Sequence, residues 1–292
     1  MAVIMDSGPR SRSAGMTVRI MSTLRDFSGT LVLVGAGKMG GAMLEGWLAL
    51  GLEPAKIAVM EPKPAEAIAA LEARGVRLNP ASVQDASVIV IAIKPQDAAS
   101  VVPTLKPLAK ANTVVISIMA GPKISFLQRA LSPDLAIVRA MSNTPASIGR
   151  GITVAVPNAR VTNDQRSLAD ALLRAVGAVE WVSDEALIDA VTAVSGSGPA
   201  YVFLLVESLA RAGAAAGLPA DLSARLARAT VSGAGELLHR SPLDAATLRQ
   251  NVSSPGGTTL AALAVLMAED GLGPLMENAV AAATKRSREL AG

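Results

Sequence analysis

Leu31-Val32-Leu33-Val34-Gly35-Ala36-Gly37-Lys38-Met39-Gly40 decides how the rest of the chain is read. Four aliphatic residues without alternation fit a short strand buried on both faces. Met43, Leu44, Trp47 and Leu48 then recur at helical spacing, and Gly51 closes the segment. Strand, Gly-x-Gly-x-x-Gly, helix is the dinucleotide-binding fingerprint in the context that gives it meaning. Gly35 permits the tight turn, Gly37 lets backbone approach a pyrophosphate, and Gly40 lets the helix pack on the strand. Ala36, Lys38 and Met39 complete the candidate cofactor loop.

Working outward, Ile57-Ala58-Val59-Met60 reads as a second strand ending at Glu61, about twenty residues past the last glycine, where an acidic group meets the adenosine ribose. Glu61 favours NAD, while Lys63 offers a charge to a 2′-phosphate, so NADP and NAD both stand as cofactors. Apolar runs at 88–93, 113–118 and 135–138 alternate with helical stretches at 64–74 and 124–131. That alternation predicts an α/β fold with a parallel sheet covered on both faces. Ligands of such sheets bind beyond the strand C-termini. The loops there are Lys94-Pro95-Gln96, Ala120-Gly121-Pro122 and Arg139-Ala140-Met141-Ser142-Asn143-Thr144-Pro145, and the nicotinamide is expected among them.

Near residue 183 the pattern changes to helical rhythm punctuated by Gly and Pro, with no strand. The expected domains are a dinucleotide-binding domain at 28–182 and an all-α domain at 183–292. Ser195-Gly196-Ser197-Gly198-Pro199 reads as a break, followed by helices over 201–216, 221–239 and 274–290. Ala224, Ala227, Ala229, Ser232, Gly233, Ala234 and Gly235 make the middle helix suited to close packing. So much aliphatic surface on about 110 residues is buried either internally or against a second copy, and a dimer is the favoured reading.

Composition narrows the chemistry. The 292 residues include no cysteine and a single histidine, His239, which removes thiolate nucleophiles, cysteine zinc sites and paired-His metal sites. No metal is expected, and a cofactor must supply the reactive group. The 27 basic and 24 acidic residues leave a net charge of +3, and Arg10, Arg12, Arg19 and Arg25 against Asp6 and Asp26 put most of it before residue 28. The nearly neutral remainder gives no reason to expect nucleic acid or an anionic membrane as partner. Residues 1–27 carry no secretory signal and read as a disordered tail or a misassigned start. No uninterrupted apolar run approaches the roughly 20 residues of a membrane span, and a cytoplasmic location is expected.

Close to the C-terminus, Val252-Ser253-Ser254-Pro255-Gly256-Gly257-Thr258-Thr259 runs straight into an apolar helical pattern (Leu260, Leu263, Leu266, Met267). A glycine-rich polar loop at a helix start is either a seat for a carboxylate or phosphate, or an ordinary helix start with Thr258 as N-cap.

Taken together, the 35–40 loop, Ala92-Ile93-Lys94-Pro95-Gln96, Asn143-Thr144-Pro145, Ser195–Tyr201 and Asn251–Thr259 resemble the pyrroline-5-carboxylate reductase family from about residue 29 onward. The resemblance implies a Rossmann-type dinucleotide-binding domain followed by an all-α dimerisation domain, assembling as a homodimer and often as a decamer of five dimers. It implies NAD(P)H-dependent reduction of 1-pyrroline-5-carboxylate to L-proline, the last step of proline biosynthesis. By that likeness Ser254, Gly257, Thr258 and Thr259 contact substrate, with Thr259 as the catalytic hydrogen-bond donor, and Glu185 lies near the substrate. Ala92, Ile93, Lys94, Pro95 and Ala120 line the dinucleotide cleft, and Asn251 reaches the cofactor. Ser142 stands where the family usually has proline, implying a looser turn, and Lys38 stands where Asn or Gln is common. Rival readings are a 3-hydroxyacid dehydrogenase, a reductase of another cyclic imine, or a non-catalytic nucleotide-binding protein. The two reductase classes usually carry a catalytic Lys or Asp at the start of the interdomain helix, where Ser195–Pro199 offers neither.

Overall fold

The computed structural model describes residues 24–291. It divides into two compact units, one running to Thr192 and taking back the chain from Ser287, the other spanning Ala193–Arg286. The first unit therefore continues past the expected boundary at 182, through the segment that carries Glu185.

The first unit is built on eight strands: β1 (Thr30–Val34), β2 (Ile57–Met60), β3 (Arg77–Leu78), β4 (Ala86–Ile91), β5 (Val114–Ser117), β6 (Ala136–Met141), β7 (Gly151–Pro157) and β8 (Gly177–Trp181). They lie in the order β3-β2-β1-β4-β5-β6-β7-β8. Every pairing is parallel except β6 with β7. The first six strands thus have the 3-2-1-4-5-6 order of dinucleotide-binding sheets, and the order reverses between β1 and β4. That crevice is where a dinucleotide is expected.

Alternate side chains feed two cores. Leu31, Leu33, Val88, Val90, Val114 and Ile116 join one cluster, and Val32, Val34, Ile89, Ile91 and Val115 join the other. Uniformly apolar strands are what a sheet covered on both faces requires. On the first face lie α1 (Lys38–Ala49) and α3 (Asn163–Arg174), and on the second α2 (Ile124–Ala130). Trp47 of α1 is fully buried and its indole Nε1–H donates to the carbonyl of Leu172 at 2.8 Å, so the largest core side chain keeps its polar atom satisfied.

Several expectations need correction. Leu24 and Phe27 are buried in the first core, so the end of the expected 1–27 tail belongs to the folded unit; residues 1–23 lie outside the described residues. The helix expected at 64–74 is a four-residue α-turn (Glu66–Ala69) continued by a 3₁₀ segment (Ala70–Arg74). Residues 139–141, expected in a loop, extend β6, and Arg139 is 2% exposed. Strands β7 and β8 and helix α3 went unread, although Thr162 and Gln165 form a complete capping box at the start of α3.

After a short α4 (Leu187–Val191), Thr192–Gly196 forms a π-helical turn rather than a break. Pro199 has no N–H to donate back into the preceding turn, and a π-turn accommodates that loss. Within the second unit the Tyr201 hydroxyl donates to the carbonyl of Ala193 at 3.0 Å, satisfying one acceptor of the distorted turn. The remaining helices are α5 (Gly198–Ala215), α6 (Ala220–Arg240), α7 (Ala245–Asn251), α8 (Thr258–Leu266) and α9 (Leu272–Ala291). The continuous helical stretch Leu187–Ala215 is long and apolar enough to cross a membrane by length and composition alone, although polar and charged residues interrupt its apolar runs. Among the described residues of the second unit, the buried hydrophobics are Ala193 and Ala227, whereas Phe203, Leu204 and Leu205 of α5 are exposed.

Candidate active site

The glycines of the first loop separate by what surrounds them. A Cβ on Gly40 would stand 2.2 Å from the Gly35 carbonyl oxygen, and one on Gly35 (φ +89°) would stand 2.8 Å from that of Ala92. Those two glycines are required by the protein itself. A Cβ on Gly37 would meet nothing within 4 Å. Gly37 is the extended N-cap of α1 and offers no side-chain cap, so the first amides of the helix face outward beside open space. This is the cradle that a pyrophosphate fits. Lys38 is exposed at the first helical position, Met39 is half-buried and Ala36 is buried.

At the neighbouring strand end, Glu61 turns back onto this loop. Its Oε2 accepts the Ala36 N–H at 2.9 Å and its Oε1 accepts the Lys63 N–H at 3.1 Å. Asn79 clamps the Glu61 peptide, accepting its N–H at 2.8 Å and donating to its carbonyl at 2.9 Å. Asn79 holds a left-handed φ of +45°, a conformation asparagine tolerates better than most residues. Sequence reading missed Asn79, because a two-residue strand gives no periodicity to place it.

On the other side of the crevice, Ala92 N–H donates to the Val34 carbonyl at 2.8 Å, and the chain then leaves the sheet. Ala92 and Ile93 are half-buried, and Lys94 and Pro95 are exposed at the C-terminal edge of the parallel strands. Ala120 is exposed beyond β5. The structure therefore brings residues 35–40, Glu61, Ala92–Pro95 and Ala120 to one edge of one sheet.

Arg139 and Glu185 form a second assembly there. Arg139 Nη1 meets Glu185 Oε1 at 2.9 Å, and its Nη2 donates to the Gly121 carbonyl at 3.2 Å. The same Glu185 oxygen accepts the Ile124 N–H at 2.8 Å, capping the start of α2. Glu185 thus ties β6, the Ala120–Gly121 loop and α2 together. An arginine inside an apolar strand was the available signal, since buried charges are paired. Ser142 is buried and its hydroxyl accepts from Thr153 at 3.0 Å, while Asn143 Oδ1 accepts the Ile152 N–H at 3.0 Å. The turn that was expected to loosen without proline is instead tied to β7.

In the second unit the loop after α7 folds into α8. Gly257, not Thr258, is the N-cap, and no side chain caps the helix. The first intrahelical bond of this end runs from the Ala261 N–H to the Gly257 carbonyl, so the amides of Thr258, Thr259 and Leu260 have no helical acceptor. Gly257 N–H closes the loop onto the Ser254 carbonyl at 3.0 Å, and Gly256 takes a φ of +68°. Ser254 and Thr258 are exposed and Thr259 is half-buried, which leaves three hydroxyls beside an uncapped positive helix end. Asn251 ends α7 and is exposed. Arg249, Gln250 and Ser253 share a cleft of about 430 Å³ with Leu260, Leu263, Ala264 and Met267. Among the described residues there is no cluster of three His, Asp or Glu side chains able to hold a metal ion.

Comparisons with known proteins agree with this layout. Residues 30–121 match the family model "NADP oxidoreductase coenzyme F420-dependent", and residues 185–290 match "Pyrroline-5-carboxylate reductase dimerisation". The chain is 39% identical over 264 residues to pyrroline-5-carboxylate reductase of Pseudomonas aeruginosa, covering 89% of this chain and 96% of that one. It superposes on the structure of a pyrroline-5-carboxylate reductase from Coxiella burnetii with a TM-score of 0.84 at 34% identity, covering 91% and 100% of the two chains. The Plasmodium falciparum pyrroline carboxylate reductase, solved with NADP bound, gives a TM-score of 0.75 at 28% identity over 91% and 99%. A 3-2-1-4-5-6 sheet with an open Gly37 cradle, followed by a helical unit that matches the dimerisation model, places this chain in the pyrroline-5-carboxylate reductase family.

Proposed function

We propose that this chain reduces the C=N bond of 1-pyrroline-5-carboxylate to give L-proline, with NADPH or NADH as hydride donor and Ser254–Thr259 as the substrate seat. The observation that carries the substrate reading is the uncapped N-terminus of α8, bordered by the Ser254, Thr258 and Thr259 hydroxyls. A carboxylate is the one permanent charge on this substrate, and free helix amides with hydroxyls around them are its natural clamp.

When bound, the reduced nicotinamide supplies a hydride to the imine carbon, and the nitrogen gains a proton. The protein's share is placement and proton management. Gly35–Gly40, Ala92–Pro95 and Ala120 would hold the dinucleotide at the β1–β4 crevice, and Asn251 would be a further cofactor contact. Ser254, Gly257 and Thr258 would fix the carboxylate and so orient the imine carbon for hydride transfer. Thr259 hydrogen-bonds the nitrogen and relays a proton from water, because a hydroxyl is too weak an acid to give up its own. Glu185, already holding Arg139 and the Ile124 N–H, keeps the Ala120–Gly121 loop in place and borders the substrate.

The reading extends to assembly and place. The second unit is a dimerisation domain, and we assign a homodimer able to build a decamer of five dimers. A partner copy then covers the apolar face of Leu187–Ala215, so that no membrane is needed to explain it, and the enzyme works in the cytoplasm without nucleic acid.

The test compares 1-pyrroline-5-carboxylate with unsubstituted 1-pyrroline. The carboxylate seat predicts a kcat/KM advantage of about 100-fold or more for the acid, the worth of a charge-assisted contact of roughly 3 kcal/mol. Ser254→Ala should narrow that gap. Equal use of both imines would remove the seat.

A further inference from the structure

We infer, resting on the reading that Ala120 lines the dinucleotide cleft, that Ser287 and Asp189 are positioning residues that hold the Ala120–Gly121 loop in place for hydride transfer. Helix α9 starts in the second unit, and its last turns, from Ser287 onward, belong to the first. There the Ser287 hydroxyl donates to Asp189 Oδ1 of α4 at 2.7 Å, across 98 residues of sequence. One turn later the Leu290 carbonyl backs the loop itself: a Cβ on Gly121 would stand 3.4 Å from that oxygen. A single turn of α9 therefore reaches both α4 and the cofactor loop.

Ser287 and Asp189 are almost fully buried, at 7% and 8% exposure. An apolar pair would fill that space without desolvating a carboxylate. What the polar pair adds is a fixed direction between α9 and α4. Helix α4 follows directly on the Glu185 turn, where the Ile188 N–H donates to the Glu185 carbonyl at 3.1 Å. Glu185 in turn holds Arg139 and the Ile124 N–H, and Arg139 holds the Gly121 carbonyl. The loop beyond β5 is thus braced twice, directly by Leu290 and through Asp189 and Glu185, while Ala120 stays exposed. Ile188 packs in the second core, so α4 keeps its fold without the Ser287 hydroxyl and loses only its aim. Hydride transfer is sensitive to such aim, since a misplacement of about 1 Å caused far from the chemistry can cost about 100-fold.

Steady-state kinetics and amide exchange on the full chain test this together. Ser287→Ala should lower kcat by about tenfold, while the KM of the imine, set at the Ser254–Thr259 seat, stays within about twofold. In the cofactor-free protein it should cut protection of the Ile124 amide by about tenfold and leave the Val115 and Ile116 amides of β5 unchanged. Ser287→Thr keeps the hydroxyl and should recover both. An unchanged kcat or an unchanged Ile124 protection in Ser287→Ala overturns the inference. So does protection lost equally in β5, which would make the bond a contact for stability alone. No turnover by the unaltered chain would overturn the proposed reaction instead, and the exchange pattern would still decide whether Ser287 holds the loop.

Discussion

Gly37 and Gly40 look alike in the sequence and differ in what a methyl group would meet. At Gly40 it would drive into the Gly35 carbonyl 2.2 Å away, so Gly40→Ala should destabilise the first unit by about 1–3 kcal/mol, as overpacking does. At Gly37 it would enter open space. Gly37→Ala should therefore leave the melting temperature nearly unchanged, within about 0.5 kcal/mol. It should still weaken dinucleotide binding by roughly tenfold, the worth of one lost amide–phosphate contact. Thermal melts and cofactor titration on the same two variants separate the roles. Arg139 is a third case: Arg139→Ala leaves Glu185 without its cation and should cost about 2–4 kcal/mol, less than a fully buried pair because Glu185 is 28% exposed. Thr259→Ala should lower kcat by about 10–1000-fold, the range for one lost donor, with dinucleotide affinity intact. The turn at Gly35–Gly40 and the strand end at Glu61 were legible because the strand–loop–helix order around them shows in the local sequence. Asn79 and the Arg139–Glu185 pair were not, because they meet across long sequence gaps that only folding closes.

Among the elements, the parallel strands were readable for a physical reason: burial on both faces makes them apolar throughout. The exceptions obey other rules. Strand β7 pairs antiparallel with β6, one strand in from the β8 edge, and alternates in burial, so a search for continuous apolar runs passes over it. The Ser195–Pro199 stretch carries the composition of a break, yet the chain absorbs its proline in a π-turn, helped by Tyr201. Helix α7, which ends at Asn251, begins at an Asp244 cap whose Oδ1 accepts the Thr247 N–H at 2.7 Å. The backbone bond from Thr247, followed by the one from its side chain, holds the Asp244 carboxyl below its ordinary value of 3.8. A lowered folded pKa stabilises the helix above the ordinary value, and that contribution fades as pH falls through the lowered one. Protection of the Thr247 amide, taken relative to its intrinsic exchange rate at each pH, should thus hold near neutrality and fall in acid below the ordinary carboxylate range. Asp244→Asn, which keeps an acceptor, should flatten that acid dependence; an identical profile in both proteins would show that the cap does not govern α7.

At the scale of the whole molecule, the two units differ in what they bury. The first has two aliphatic cores around one sheet. The second exposes Phe203 at 61%, Val265 at 71% and Met267 at 60%. Helices that leave so much apolar area open need a partner surface, and the dimerisation model matched by residues 185–290 accounts for it. Composition alone left internal burial and a second copy as alternatives; the small-residue pattern of α6 fits either. Phe203→Glu should convert the dimer to unstable monomers, read by sedimentation and by a melting temperature that no longer rises with protein concentration. A fully stable dimer in that variant would move the interface off α5.

The most direct measurement follows nicotinamide oxidation by the full-length chain with 1-pyrroline-5-carboxylate, with proline quantified in the same vessel. One proline formed per reduced nicotinamide consumed, lost in Thr259→Ala while dinucleotide binding persists, is the expected result. Tight dinucleotide binding by the unaltered chain with no proline formed would contradict the assignment of this site to imine reduction.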